Sequence, residues 1–143
     1  MWKIGSLKCL EKAKNLETNI SQIRSFQLRN LDLNSSEVAL TALILSEEKS
    51  HNSSFITSIS FSYNQLIGDI GATAIVKSLP KSICEIGLVD CGIGDKGGTE
   101  ILTWMKKSPQ LQMICMEQNN FSETQKLEFH DFRRNNPNVM VVY

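Results

Sequence analysis

The sequence predicts an α/β solenoid, a short right-handed horseshoe of about four strand–helix repeats whose strands form one parallel, concave sheet. Apolar residues return at a nearly constant interval, because Leu111 follows Ile83 by 28 residues and Ile83 follows Ile56 by 27. The prolines Pro109 and Pro137 are also 28 residues apart. A fixed period of this size indicates a repeat architecture, in which no unit buries its apolar face alone and neighbouring units must stack.

Each repeat opens with apolar residues at alternating positions, which predicts a short strand with one buried face. These pairs are Ile59 and Phe61, Ile86 and Leu88, and Ile114 and Met116. Three residues later comes Asn64, Cys91 or Asn119. We expect the asparagines to bond backbone groups of the turn, and the cysteine to fill the same small buried position. One more buried apolar residue is expected next, at Leu66, Ile93 or Phe121.

A helix is expected to close each repeat. Asp69 and Asp95 are interpreted as caps of the helices that they introduce, and Ser122-x-x-Gln125 fits a capping box. The predicted helices cover residues 72–79, 98–107 and 123–135.

The pattern extends to both ends of the chain as a single domain. Asn34-Ser-Ser-Glu37 fits a capping box in the first repeat, and the polar residues 46–54 are expected to form a loop. A helix within residues 1–20 is expected to cap the first repeat. The predicted repeats span residues 21–55, 56–82, 83–110 and 111–138, followed by a terminal strand at 139–143.

Two segments carry a resemblance to a known family. The pattern I-x-x-I-x-F-x-x-N-x-L-x-G-D-x-G-A-x-A, from Ile56 to Ala74, and the octet C-G-I-G-D-K-G-G, from Cys91 to Gly98, resemble leucine-rich repeats of the ribonuclease-inhibitor-like subtype. The resemblance implies a non-enzymatic scaffold that binds a partner protein, such as an adaptor or a bacterial effector.

Composition narrows the classes of partner. The chain has 15 basic and 15 acidic residues, so no overall charge favours nucleic acid or a membrane surface. The sequence has no run of 18 apolar residues and no signal-peptide pattern near Met1. The four cysteines show no metal-binding spacing, and we expect neither a metal nor a cofactor. We interpret the cysteines as reduced thiols, so we expect a cytoplasmic protein, or one delivered to a host cytosol.

A catalytic site is not expected. Cys115 is predicted on a strand and His130 on a helix of the opposite flank, so they do not form a nucleophile–base pair. The glycine-rich stretch 92–98 lacks the Lys-Ser/Thr ending of a phosphate-binding loop. The resemblance leaves one catalytic alternative, a GTPase-activating or other accessory role through Arg29, the one arginine that stands at a strand exit.

The predicted binding surface is the concave face of the sheet, where residues between the buried ones point outward. Tyr63 and Arg29 are the expected anchors, because binding energy concentrates in aromatic and arginine side chains, while Asp90 and Glu117 are expected to provide charge selectivity. A merely solvated face is the alternative, because its serines and Gly87 offer little contact area. The candidate residues are Arg29, Asn30, Ser60, Ser62, Tyr63, Glu85, Val89, Asp90, Met113, Glu117 and Gln118.

The terminal strand poses a separate problem, because an uncovered strand edge exposes unpaired backbone groups. Residues 139–143 read V-M-V-V-Y and are strong strand formers. Either the last helix folds over this edge, or two chains pair through it. The bare edge favours the second outcome, so the sequence predicts weak or facultative homodimerisation through this strand.

Overall fold

Strands and helices alternate along the whole described part of the chain. The computed structural model describes residues 24–50 and 56–143 of the 143 residues. The strands are β1 (Ser25–Gln27), β2 (Ser58–Ser60), β3 (Glu85–Gly87), β4 (Met113–Cys115) and β5 (Met140–Val142). The helices are α1 (Ser35–Ser50), α2 (Gly68–Ser78), α3 (Asp95–Lys106) and α4 (Glu123–Asn135). The expected helix within residues 1–20 lies outside the described residues.

The five strands form one parallel sheet in the order in which they occur along the chain. Ile59 pairs with Ile86, Ile86 with Ile114, and Ile114 with Val141, and each of these side chains is at most 2% exposed. They belong to one hydrophobic cluster, to which the helices contribute buried residues such as Phe129. The predicted solenoid of stacked strand–helix repeats is therefore confirmed.

The helix boundaries differ from the predictions where glycine is frequent. Helix α2 begins at Gly68 and α3 at Asp95, earlier than the predicted residues 72 and 98. Their internal glycines are buried packing positions, since a Cβ at Gly71 would lie 2.7 Å from Cγ2 of Ile67. Helix α4 has the predicted bounds.

The predicted loop at residues 46–54 is wrong over its first part, because α1 continues to Ser50. The sequence Glu-Glu-Lys at 47–49 favours helix intrinsically, although it lacks the apolar spacing that marks the other helices. Polar composition alone therefore predicted the wrong end for this helix.

The turn after β2 contains one more residue than expected. Leu66, predicted to be buried, is 68% exposed, and Ile67 takes its place in the core at 1% exposure. Ile67 is three residues after Asn64, whereas the buried Ile93 is two residues after Cys91. A sequence signal for this insertion was present: the motif I-G-D-x-G occurs at 67–71 and at 93–97 and aligns Ile67, not Leu66, with Ile93.

The outer edge of β5 is partly covered by helix α4. The carbonyl of Val142 accepts from the N–H of Met116, directly after β4, so the carbonyl of Val141 points away from β4. Nη1 of Arg133 donates to this carbonyl at 3.5 Å, and the guanidinium of Arg133 lies 5.5 Å from the ring centroid of Tyr143. This arrangement corresponds to the first of the two expected outcomes, in which the last helix folds over the edge.

No helix within residues 24–50 and 56–143 combines the length and apolar character that crossing a bilayer requires.

Candidate functional site

Two asparagine side chains each connect a turn to the turn of the preceding repeat. Oδ1 of Asn64 accepts from the backbone N–H groups of Leu31 at 2.9 Å and Leu33 at 3.1 Å. Its Nδ2 donates to the carbonyls of Leu28 at 2.8 Å and Phe61 at 2.6 Å. The predicted role in turn bonding is confirmed, and three of the four bonded groups belong to the preceding repeat.

Asn119 repeats this arrangement two turns further on, and Cys91 occupies the equivalent position in the turn between them. Oδ1 of Asn119 accepts from the N–H groups of Cys91 and Ile93, each at 3.0 Å. The Cys91 thiol is fully buried and donates to the carbonyl of Phe61 at 3.4 Å. Burial raises the pKa of Cys91 to about 12, so the thiol stays neutral. Its predicted structural role is confirmed.

The two aspartates cap helices, but of the neighbouring repeat. Oδ1 of Asp69 accepts from the N–H groups of Gly94 at 2.7 Å and Gly97 at 3.0 Å, at the start of α3. Oδ1 of Asp95 accepts from the N–H of Ser122 at 2.8 Å, at the start of α4. The prediction that each aspartate caps its own helix is wrong, because stacking brings the first turn of one helix beside the N-terminus of the next.

The capping boxes are formed to different extents. In the first repeat, Oδ1 of Asn34 accepts from the N–H of Glu37, and Oε2 of Glu37 accepts from the N–H of Asn34, as predicted. In the last, Oγ of Ser122 accepts from the N–H of Gln125, but the Gln125 side chain bonds Thr99 and Glu128 instead of returning to Ser122. The backbone N–H of Ser122, which would donate to Gln125 in a complete capping box, donates to Asp95 instead.

A row of residues with left-handed backbone runs along the ends of the strands. Asn30, Tyr63, Asp90 and Gln118 have φ angles of 53°, 65°, 50° and 62°. The turn requires this conformation in every repeat, and short polar side chains such as Asn and Asp tolerate it. A bulky tyrosine in this conformation costs about 1–2 kcal/mol, so its presence at position 63 calls for a reason beyond the turn.

The two predicted anchors contact each other. The Tyr63 side chain is 41% exposed, and the guanidinium carbon of Arg29 lies 5.2 Å from the centroid of its ring. This distance is within the range of a cation–π interaction, which holds both exposed side chains in place. The sequence identified both residues but not their contact.

Tyr63 also lines a groove at the ends of β1–β3, which we name the exit groove. Its volume is about 660 Å³, and Nε2 of Gln65 donates to both carboxylate oxygens of Asp90 across it, at 3.2 and 3.0 Å. Because the turn after β2 contains an extra residue, the exposed Leu66 also lines this groove, although it was expected in the core. The lining residues are Asn30, Asp32, Tyr63, Gln65, Leu66 and Asp90.

A second cavity of about 270 Å³ lies over the outward side of the sheet, and we name it the sheet depression. The predicted site residues that line it are Arg29, Ser60, Ser62, Glu85, Val89, Met113 and Glu117. Asn30, Tyr63 and Asp90 line the exit groove. Gln118 is exposed in the row of left-handed turns and belongs to neither lining.

The serines of this face are used within the sheet. Ser60 and Ser62 are 8% and 2% exposed, and Oγ of Ser62 accepts from the N–H of Val89 at 3.1 Å. A Cβ at Gly87 would lie 2.6 Å from Oγ of Ser60, so the serine side chain occupies the space beside the glycine. The two hydroxyls therefore offer little to a partner.

Acidic side chains surround the β4 part of the depression. Glu85, Cys115 and Glu117 all line it. Burial raises the pKa of Cys115, and the charges of Glu117 and Glu85 raise it further, so this thiol is disfavoured as a nucleophile. Within residues 24–50 and 56–143, no group of three or more His, Cys, Asp or Glu residues is placed to hold a metal ion.

Comparison with known proteins identifies the repeat. A family model described as Leucine Rich repeat matches residues 52–76, a segment that contains β2 and most of α2. No curated protein matches the chain. The matched repeat and the five-stranded parallel sheet of stacked strand–helix units support a leucine-rich-repeat protein.

Proposed function

We propose that this protein is a non-enzymatic scaffold that binds a partner protein through the sheet face and the exit groove. The observation that carries the proposal is Tyr63. Its large side chain is partly exposed, stacked on Arg29, and attached to a backbone conformation that disfavours it. Recognition explains why a costly residue occupies this turn, since tyrosine and arginine are the usual anchors of protein interfaces.

The surroundings of Tyr63 support the same proposal. Tyr63 and the exposed Leu66 provide an apolar centre, and Asn30, Asp32 and Asp90 provide a polar border to the groove. Stable protein interfaces commonly combine an apolar centre with a polar rim. The sheet depression continues this surface through Arg29, which lines it and contacts the tyrosine ring.

The helices support the finer assignment to the ribonuclease-inhibitor-like subtype. Every repeat in the described part carries a helix of 11 to 16 residues after its strand. The proposal that the strand side binds the partner rests on the resemblance to this same subtype.

Affinity capture with matched variants tests this function. The double variant Arg29→Ala/Tyr63→Asn removes both anchors, and Leu127→Ala changes an exposed residue of α4. We expect the proteins captured by the wild type to be retained by Leu127→Ala and lost by the double variant. Unchanged capture by the double variant would refute the assigned surface.

A further inference from the structure

The acidic half of the sheet depression contains a carboxylate oxygen without a partner. Oε2 of Glu117 is buried, and within residues 24–50 and 56–143 it has no hydrogen-bond partner. Burying an ionised carboxylate is costly unless a hydrogen bond or an opposite charge compensates it. Native proteins rarely leave such an atom unsatisfied, so this oxygen is free to accept a hydrogen bond from a donor that enters the depression.

A second carboxylate lies on the same face. Glu85 is opposite Met113 and Gly87 is opposite Cys115 in the β3–β4 register, so the outward residues of both strands share one surface. The negative charges of Glu117 and Glu85 both raise the pKa of Cys115, so both carboxylates act on this part of the surface.

Charge determines which group fits. Arg29 is the one cationic residue among the described residues that line the depression, and its guanidinium lies over the Tyr63 ring. None of the ion pairs in the described part of the chain involves Glu85 or Glu117. The β3–β4 half of the depression therefore carries uncompensated negative charge beside an apolar floor that includes Met113.

We propose that this half of the depression accepts an arginine or lysine side chain of the partner protein, which the carboxylate of Glu117 binds and the charge of Glu85 attracts. The inference rests on the proposed function and specifies the chemistry of the partner. An incoming cation gives the buried Glu117 oxygen a charge-assisted hydrogen bond. The carboxylate of Glu117 is the hydrogen-bond acceptor for this cation, whereas Arg29 and Tyr63 bind a different part of the same partner segment.

Selection from a library of random displayed heptapeptides on the full chain tests the inference. We expect arginine or lysine to be enriched among peptides selected on the wild type. We expect such peptides to bind Glu117→Gln at least about tenfold more weakly, the amount expected for loss of a charge-assisted hydrogen bond. The matched control is Glu123→Gln, an exposed carboxylate of α4, which should bind the same peptides within about twofold of the wild type.

The outcomes separate this inference from the proposed function. Peptides that need Tyr63 but carry no basic residue, or that bind Glu117→Gln as tightly as the wild type, would overturn the cation site and leave the binding face standing. Peptides whose binding is unaffected by both Glu117→Gln and Tyr63→Asn would overturn both proposals. Replacing the basic residue of a selected peptide by glutamine should reproduce the loss seen with Glu117→Gln.

Discussion

The residues at equivalent turn positions share one backbone conformation but differ in how well their side chains tolerate it. Asn30 and Asp90 adopt the left-handed conformation at low cost, and each has a short polar side chain. Tyr63 adopts it at a higher cost and extends a ring toward the exit groove. Exchanging this side chain can therefore test the proposed role of Tyr63 in recognition separately from its effect on folding.

The variant Tyr63→Asn introduces asparagine at position 63, the residue type that Asn30 provides at the equivalent turn position of the first repeat. Relief of about 1 kcal/mol of backbone strain offsets the loss of about 0.5–1 kcal/mol from the contact with Arg29. We expect the free energy of unfolding in urea to stay within about 1 kcal/mol of the wild type, while partner capture is lost. Destabilisation beyond about 2 kcal/mol would show that Tyr63 serves the fold.

Asn64 is a residue whose loss the fold should not tolerate. Asn64→Ala leaves two backbone N–H groups and two carbonyls without their side-chain partner, at about 1–3 kcal/mol for each group that stays unsatisfied. We expect the free energy of unfolding to fall by at least about 3 kcal/mol. Asn120→Ala, at an exposed position, should change it by less than about 0.5 kcal/mol. Equal effects of the two substitutions would contradict the proposed link between repeats.

At the scale of elements, the starts of two helices, α3 and α4, are bonded by an aspartate of the preceding repeat. Asp69 bonds the start of α3, and Asp95 bonds the start of α4. Neighbouring repeats are thereby coupled through polar groups as well as through the apolar core. Such nearest-neighbour coupling is what makes a repeat stack unfold cooperatively.

The cap formed by Asp95 gives a testable pH dependence. Hydrogen bonds from the Ser122 side chain and backbone lower the pKa of Asp95 below 3.8, so the charged form is favoured in the folded state. Its contribution to stability is complete above the unfolded-state pKa and is lost as the pH falls through the folded-state pKa. We expect the stability difference between wild type and Asp95→Ala to be constant above about pH 5 and to shrink below it. Lys96→Ala, at the exposed neighbour, should show no such change in this pH range.

Periodicity predicted the elements well, and their ends less well. Alternation at Ile86 and Leu88 identifies a strand because the pleat repeats every two residues. The apolar spacing does not reveal the extra residue before Ile67, because Leu66 and Ile67 are adjacent and both apolar, so either one satisfies the pattern. The predicted helices begin after the glycines at 68, 71 and 97, although these glycines lie within the helices and those at 71 and 97 allow close packing.

At the scale of the whole molecule, the spacing predicted which residues share a face but not which of them are available. Ser60 and Ser62 face outward as expected, yet the missing side chain of Gly87 lets them pack within the sheet. The pairing of Arg29 with Tyr63 depends on side-chain rotamers, which no sequence period encodes. The unpartnered oxygen of Glu117 likewise emerges only when all neighbours are in place.

We expect the edge of β5 to influence whether copies of the 143-residue chain associate. Arg133→Ala uncovers the outward carbonyl of Val141 and removes the contact with Tyr143, which leaves an edge that another strand can pair with. We expect sedimentation velocity at high micromolar concentration to show more self-association for Arg133→Ala than for the wild type. The control Arg134→Ala changes an exposed arginine that contacts Asp131 and should behave like the wild type. Identical behaviour of all three proteins would contradict the covering role of Arg133.

Site-specific photo-cross-linking tests most directly whether the strand side is the binding surface. A benzophenone amino acid is placed at Asn30 or Gln118, in the row of left-handed turns, and at Leu127 or Leu43, on exposed positions of the helices. The proposed function predicts adducts with one common partner protein from the two turn positions and none from the two helix positions. Adducts with that partner from the helix positions alone would contradict it.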